Sequence, residues 1–329
     1  MRCAALNTGL EFHSLDHIAP LADQMQMPLL ITEERTAELA RHYYPWVEIR
    51  LMPDLEFRLA EIAEQFDVLF ECKYWAPHLK SLFKNLYHKD MHLVFCPHGQ
   101  SDKGFQAPLL APYALQDSVL LYGNLMIQML KELAIWPSIS QYAIVGNYRL
   151  QFYQRHRSFY DSLIAKEIPL DPKRRTLLYA PTWRDADAAT SFFEHGVKVI
   201  SQLPSDWNLI VKVHPLLEQR DPAHFYAIAA LVDKQPNAFL VHECPLVYPL
   251  LARADVYLGD ASSVGYDFLF FERPLYFFPS ETPGRLRSCG QVIDPDRNIY
   301  AQLGGSHSYA EEQRNLYRLA FNANSDLLV

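Results

Sequence analysis

The chain has 329 residues, 50% hydrophobic and 21% charged, which suffices for two domain cores and excludes disorder as its main organisation. Thirty basic against 38 acidic residues leave a net charge of −8, which argues against a protein that grips nucleic acid along a basic face. Five cysteines (Cys3, Cys72, Cys96, Cys244, Cys289), odd in number and without a CxxC pair, argue against a disulfide framework and for a reducing compartment.

Along the chain, short apolar and β-branched runs alternate with segments of helical period. The first strands are expected at 3–8, 28–32, 47–51, 67–72, 92–96, 118–122 and 141–145, and a second series at 175–181, 207–213, 238–242, 255–259 and 274–278. Between them, Leu55, Leu59, Ile62, Ala63 and Phe66 share one helix face. His13 and His17 stand i, i+4 on the first predicted helix with Asp16 between them; a cap or an acceptor-side role fits them better than a metal pair, because no third ligand is spaced to join them. In 78–89, Leu79, Leu82, Phe83, Leu86 and Tyr87 form an apolar stripe beside Lys80, Lys84, His88 and Lys89, with Trp75 upstream. That stripe suits either a buried face of the first domain or peripheral contact with an anionic membrane.

A polar helix is expected over 148–168, stopped by Pro169 and the turn signal Asp171-Pro172. A last helix covers about 309–322. The alternation reads as an α/β protein with two Rossmann-like, doubly wound parallel-sheet domains facing a cleft: residues 1–147, a linker at 148–172, residues 173–305, and a C-terminal helix in 306–329 that can return to the first domain. No apolar run reaches bilayer-spanning length and the start lacks a secretory leader, so a cytoplasmic location is expected, with peripheral contact at the inner face of the membrane through 78–89.

Polar residues gather where the strands end. Strand 92–96 leads into Pro97-His98-Gly99-Gln100-Ser101-Asp102-Lys103-Gly104, strand 175–181 into Thr182-Trp183-Arg184-Asp185, strand 207–213 into His214-Pro215, and strand 255–259 into Asp260-Ala261-Ser262-Ser263. Each has a plain structural reading. His98 and His214 could cap turns, Arg184 and Asp185 could form a surface ion pair, and Ser262 and Ser263 are ordinary N-cap residues. Such a cap also presents N–H groups to a phosphate, so the two readings of the serines are compatible.

The strings LLYAPTWRD (177–185), VKVHP (211–215) and ADVYLGDASSVGYDFLFFERPLYFF (254–278), with PHG (97–99) upstream and VGNYRLQFY (145–153) between, resemble the CDP-glycerol glycerophosphotransferase family of teichoic-acid primases and polymerases. The motif-bearing part runs from 92 to 278. The resemblance implies the two-domain glycosyltransferase-B architecture, no metal, no cofactor beyond the nucleotide-linked donor, and transfer of glycerol phosphate from CDP-glycerol to a hydroxyl acceptor with release of CMP. That acceptor would be lipid-linked or a polysaccharide.

Carried onto this chain, the resemblance makes His98 the general base, and His214 the group that holds or protonates the pyrophosphate. Thr182, Arg184, Lys212, Asp260, Ser262, Ser263 and Asp267 fall on the donor and phosphate side; Gly99, Ser101, Lys103 and His13 fall on the acceptor side. The chain departs from the family at Ala261, where an aromatic residue is usual, and at Pro97, often Trp. A nucleotide-sugar glycosyltransferase or epimerase on the same architecture, or a non-catalytic nucleotide-binding module, are the alternatives.

The charge is unevenly spread. Residues 1–72 hold five basic and 13 acidic residues, so the whole surplus of −8 lies there, while 73–329 hold 25 of each. The net charge therefore does not argue against a pyrophosphate ligand in the later, motif-bearing part.

Overall fold

A computed structural model describes residues 1–73, 76–102, 110–183, 190–280, 284–305 and 308–321. The first sheet contains β1 (Cys3–Asn7), β2 (Leu29–Ile31), β3 (Ile49–Leu51), β4 (Val68–Glu71), β5 (His92–Phe95), β6 (Ser118–Leu121) and β7 (Tyr142–Ile144), in the order β3-β2-β1-β4-β5-β6-β7. The second contains β8 (Arg175–Ala180), β9 (Trp207–Lys212), β10 (Ala238–Val241), β11 (Val256–Gly259), β12 (Leu275–Phe277) and β13 (Gln291–Val292), in the order β10-β9-β8-β11-β12-β13. Every paired neighbour is parallel. β8, β9 and β11 are mostly apolar and buried along almost their whole length, as helices on both faces of a parallel sheet require. Strand order reverses between β1 and β4 and again between β8 and β11, so each domain has its ligand crevice at those carboxyl ends.

Among the described residues the helices are α1 (Leu15–Met25), α2 (Glu34–Tyr43), α3 (Leu59–Gln65), α4 (Ala76–Tyr87), α5 (Asn124–Glu132), α6 (Tyr148–Arg155), α7 (Arg157–Glu167), α8 (Ser191–Ser201), α9 (Leu216–Arg220), α10 (Pro222–Val232), α11 (Tyr248–Arg253), α12 (Ser263–Phe268), α13 (Ile299–Gln302) and α14 (Ala310–Phe321). All twelve expected strands are present; β13, at two residues, is too short to show alternation. The single helix expected over 148–168 is two, α6 and α7. His156 leaves helical geometry between them (φ −108°, ψ 22°), and its ring stacks on Trp46 of the first domain at 3.5 Å.

The apolar stripe of α4 divides. Leu79 and Phe83 are buried in the first domain's outer core, while Leu82, Leu86 and Tyr87 are exposed. Lys80 pairs with Asp117 and Lys89 with Asp67, which takes two of the expected cations out of a free basic rim. No helix among the described residues is long and apolar enough to cross a membrane.

One apolar cluster crosses the domain junction. It runs from Leu15 and Ile18 of α1 through Tyr148, Leu150 and Phe152 of α6 to Tyr248 and Leu251 of α11, and on to Leu316 and Tyr317 of α14. α14 packs on α5 of the first domain and on Leu269–Phe271 and Leu286–Cys289 of the second. A shared core of this kind ties the halves into one orientation.

Candidate functional site

The carboxyl ends of the two sheets face one another across a cavity of about 290 Å³. From the first domain it is lined by His13, His17, His98, Gly99 and Ser101, and from the second by Thr182, Trp183, Lys212, His214, Ser262 and Ser263. The histidines approach from both sides: the His13 ring centroid is 5.0 Å from His214 and 6.1 Å from His98, and His17 is 6.4 Å from His98.

His98 follows β5, and its side chain is exposed on the wall of the cavity between the domains. Removal from bulk water lowers its pKa, against the opposing pull of Glu11 and of a hydrogen bond with the Cys72 backbone. The bond with Cys72, at the end of β4, orients the ring. His13 is held neutral more firmly: desolvation first, then His98, Lys212 and Lys73, lower its pKa to about 3. His17 is buried, and its Nδ1 meets the Tyr122 hydroxyl at 2.7 Å; burial, then Arg149, drive its pKa well below the ordinary value.

His214 follows β9. Its Nδ1 accepts the Leu216 backbone N–H at 3.2 Å. A backbone amide can only donate, so Nδ1 is the lone-pair nitrogen and the proton of the neutral ring sits on Nε2. His214 therefore offers an N–H donor. Lys212, buried behind it, donates to the Cys244 carbonyl at 2.5 Å, and desolvation pushes its pKa down. Ser262 takes the extended N-cap conformation (φ −127°, ψ 170°) before α12.

Gly99 marks where the two domains touch. Its φ of +112° is one that L side chains rarely adopt, and a Cβ there would lie 2.5 Å from Ser263 Cβ. The loop is latched further on: Tyr266 of α12 donates to Asp102 Oδ1 at 2.5 Å, and the Leu286 N–H donates to Asp102 Oδ2 at 3.0 Å. Thus the loop that carries the proposed base is fastened to the opposite domain.

Two acids expected on the phosphate side have hydrogen-bond partners within the protein. Asp260 Oδ2 accepts the backbone N–H of Thr182 at 2.8 Å and of Ser191 at 3.4 Å, bracing the loop after β8. Asp267 lines the cavity but accepts from Arg149 Nη1 at 2.9 Å and from the Tyr248 hydroxyl at 2.7 Å. Asp260 thus holds backbone amides at the cavity's edge, and Asp267 lines the cavity while bonded to Arg149 and Tyr248. Lys103, Arg184 and Trp75 lie outside the described residues. Among the described residues, no three His, Cys, Asp or Glu side chains converge closely enough to hold a metal ion.

Arg149, Asp102, Tyr122 and Tyr266 are given no role by the motifs in the sequence. Arg149 had a visible signal: one arginine amid Tyr148, Leu150, Phe152 and Tyr153, an apolar setting in which a guanidinium must be paired.

The model for CDP-Glycerol:Poly(glycerophosphate) glycerophosphotransferases matches residues 124–291, just over half of the chain. The chain belongs to this family. It is 26% identical over 149 residues to a teichoic acid glycerol-phosphate primase of Bacillus spizizenii, a match covering 43% of this chain and 36% of that protein. A Bacillus subtilis protein of the same name is 28% identical over 109 residues, covering 32% and 26%. The chain thus matches between about a quarter and just over a third of the length of these curated relatives.

Among solved structures, the wall teichoic acid polymerase TagF superposes with a TM-score of 0.67 at 12% identity, over 98% of this chain and 85% of that one. The UDP-GlcNAc 2-epimerase from Neisseria meningitidis gives 0.58 at 10% identity, over 98% and 95%. These likenesses are of fold, and they agree with the glycosyltransferase-B arrangement of two parallel-sheet domains.

Proposed function

We propose that this family member transfers a glycerol-phosphate unit, or a related phosphoalditol, from a CDP-linked donor to an acceptor hydroxyl and releases CMP. The observation that carries the reading is the convergence of His98 and His214 from opposite domains on one cavity that also holds Ser262 and Ser263.

In this scheme the donor lies against the second domain, with its phosphates near Ser262, Ser263 and Thr182. His214 Nε2–H donates to a non-bridging phosphate oxygen, a role its tautomer allows. His98, neutral at physiological pH because its pKa is lowered, takes the proton from the acceptor hydroxyl. The acceptor oxygen attacks the phosphorus that bears glycerol, the bond from that phosphorus to the bridging oxygen breaks, and CMP leaves with the electron pair. The proton resides on His98 until solvent takes it.

Phosphoryl transfer of this kind needs positioning and charge stabilisation rather than covalent help. Lys212, the His214 N–H and the serine hydroxyls supply them, and turnover is expected to persist with EDTA present. His13, between the two histidines and held neutral, can bond acceptor or phosphate without adding charge. The exposed Leu82, Leu86 and Tyr87 beside Lys84 offer a surface for peripheral contact with a membrane that carries the acceptor.

The test is a donor panel with mass-spectrometric product identification. CDP-glycerol is expected to yield CMP, and CDP and CMP to raise the melting temperature. Release of a nucleoside diphosphate from a nucleotide sugar, with none of CMP from any CDP-linked donor, would replace this reading with a sugar transferase or epimerase.

A further inference from the structure

The buried ions at the domain junction serve no purpose in the chemistry above, yet they join the walls of the cleft. Arg149 of α6, Asp16 of α1 and Asp267 of α12 form a triad from the linker, the first domain and the second. All three are almost completely buried. Arg149 Nη1 donates to Asp267 Oδ2 at 2.9 Å, Nε to Asp16 Oδ2 at 3.0 Å, and Nη2 also to Asp16 Oδ2.

The grip on α1 includes its backbone, and the sequence of α1 explains how. Pro20 lies inside the helix and has no N–H, so the carbonyl four residues earlier, that of Asp16, lacks its helical donor. Arg149 Nε donates to that carbonyl at 3.1 Å. Each carboxylate has a second anchor: Tyr44 donates to Asp16 Oδ1 at 3.2 Å, and Tyr248 to Asp267 Oδ1 at 2.7 Å. The Tyr248 ring also lies under the guanidinium, 5.3 Å from its centre.

The side chains that Arg149 holds are neighbours of the reacting groups in sequence. Asp16 lies between His13 and His17, and Asp267 follows Ser263 by one helical turn on α12. Fixing Asp16 relative to Asp267 therefore fixes the histidine wall relative to the serine wall.

We propose that Arg149 is a positioning residue, which sets the separation between the histidine side and the serine side of the cleft by bridging Asp16 and Asp267. Its consequence for turnover rests on the transfer reading above; its consequence for geometry does not. A salt bridge kept only for stability could be replaced by apolar packing without changing the distance between the walls. A positioning bridge could not.

The experiment measures both. In a Cys3→Ser background, spin labels at Phe57→Cys and Tyr226→Cys, both exposed and on opposite domains, report the inter-domain distance by pulsed dipolar spectroscopy. The unaltered bridge is expected to give one narrow distribution, and Arg149→Met a broader or displaced one. In the unlabelled chain, Arg149→Met is expected to lower kcat for CMP release from CDP-glycerol about 100-fold, with KM for that donor within about threefold, because the donor contacts lie in the second domain. Arg149→Lys, which keeps the charge but loses the fork, is expected to recover part of kcat.

Should Arg149→Met fail to fold, Asp267→Ala keeps the Arg149–Asp16 pair and cuts the cross-domain arm together with the Tyr248 bond; Tyr248→Phe, which removes that bond and keeps the Arg149 arm, is the control, and Asp267→Ala is expected to give the same signature as Arg149→Met beyond it. An unchanged distance distribution in folded Arg149→Met or Asp267→Ala overturns the proposal, as does a rise in KM with kcat untouched. If the wild-type chain releases no CMP from CDP-glycerol, the transfer reading fails, and the distance measurement still decides the role of Arg149.

Discussion

The contact between Gly99 and Ser263 gives a demanding test of how tightly the cleft is set. Gly99→Ala adds one methyl group at φ +112°, where its carbon would stand 2.5 Å from Ser263 Cβ and 2.9 Å from Ser263 Oγ. Non-bonded carbons rest at about 3.5–4.0 Å, so relief requires the two walls to part by about 1 Å or more. The backbone conformation alone costs about 1–3 kcal/mol for a residue with a Cβ, and overpacking a close contact costs about 1–3 kcal/mol more.

If the chain absorbs the clash by separating the walls, a displacement near 1 Å between His98 and the serine wall predicts, under the proposed transfer, a loss of about 100-fold in kcat/KM. The assay is CMP release from CDP-glycerol, beside thermal unfolding of the same preparation. Ser263→Gly removes the opposing Cβ, so Gly99→Ala/Ser263→Gly, compared with Ser263→Gly alone, isolates the backbone term from the clash. The double variant is expected to regain much of the stability lost by Gly99→Ala. A Gly99→Ala protein with wild-type melting temperature and wild-type kcat/KM would refute the claim that this contact sets the cleft.

Other expectations concern the titrating groups and the latch. Because the pKa of His98 is lowered, the acid limb of kcat/KM should fall below pH 6.5, and His98→Ala should remove that limb with a loss of about 10²–10⁴-fold. His17 is depressed on folding, so the unfolded chain binds its proton first. Its contribution is present above about pH 6.5 and is lost as pH falls, at up to about 1.4 kcal/mol per pH unit; denaturant unfolding between pH 7 and 5 should show a shallower slope for His17→Gln. Tyr266→Phe removes the donor to Asp102 Oδ1 and should lower kcat about tenfold, from about 1–1.5 kcal/mol of lost bonding, while CDP binding measured by calorimetry stays unchanged.

Much of this was legible in the sequence because parallel strands buried on both faces leave an unmistakable apolar run, and because a doubly wound domain puts its chemistry where those runs end. His98, His214, Ser262 and Ser263 could be located by that rule alone. What separates polar residues that line the cavity from those that brace the backbone is not written in the spacing. Asp260 and Ser262 are two residues apart on one loop, yet the first braces backbone amides and the second faces the cavity. Likewise Asp267 has a place in the motif, but its partner Arg149 is 118 residues away, and only the folded chain brings them together. The break at His156 is equally tertiary, since the Trp46 ring it stacks on lies 110 residues earlier, in the first domain.

The last helix has a consequence for how the protein is made. Tyr317 of α14 accepts from Asn147, the residue at the mouth of the linker, across 170 positions of chain. A ribosome adding about 5–20 residues per second needs on the order of ten to thirty seconds to cover that distance. During that interval the first sheet is complete while the wall that completes its cleft has yet to be synthesised. Nascent chains should therefore expose the face of α5 that α14 covers until α14 emerges, and a chaperone that engages this protein during translation should bind that face and leave when α14 docks.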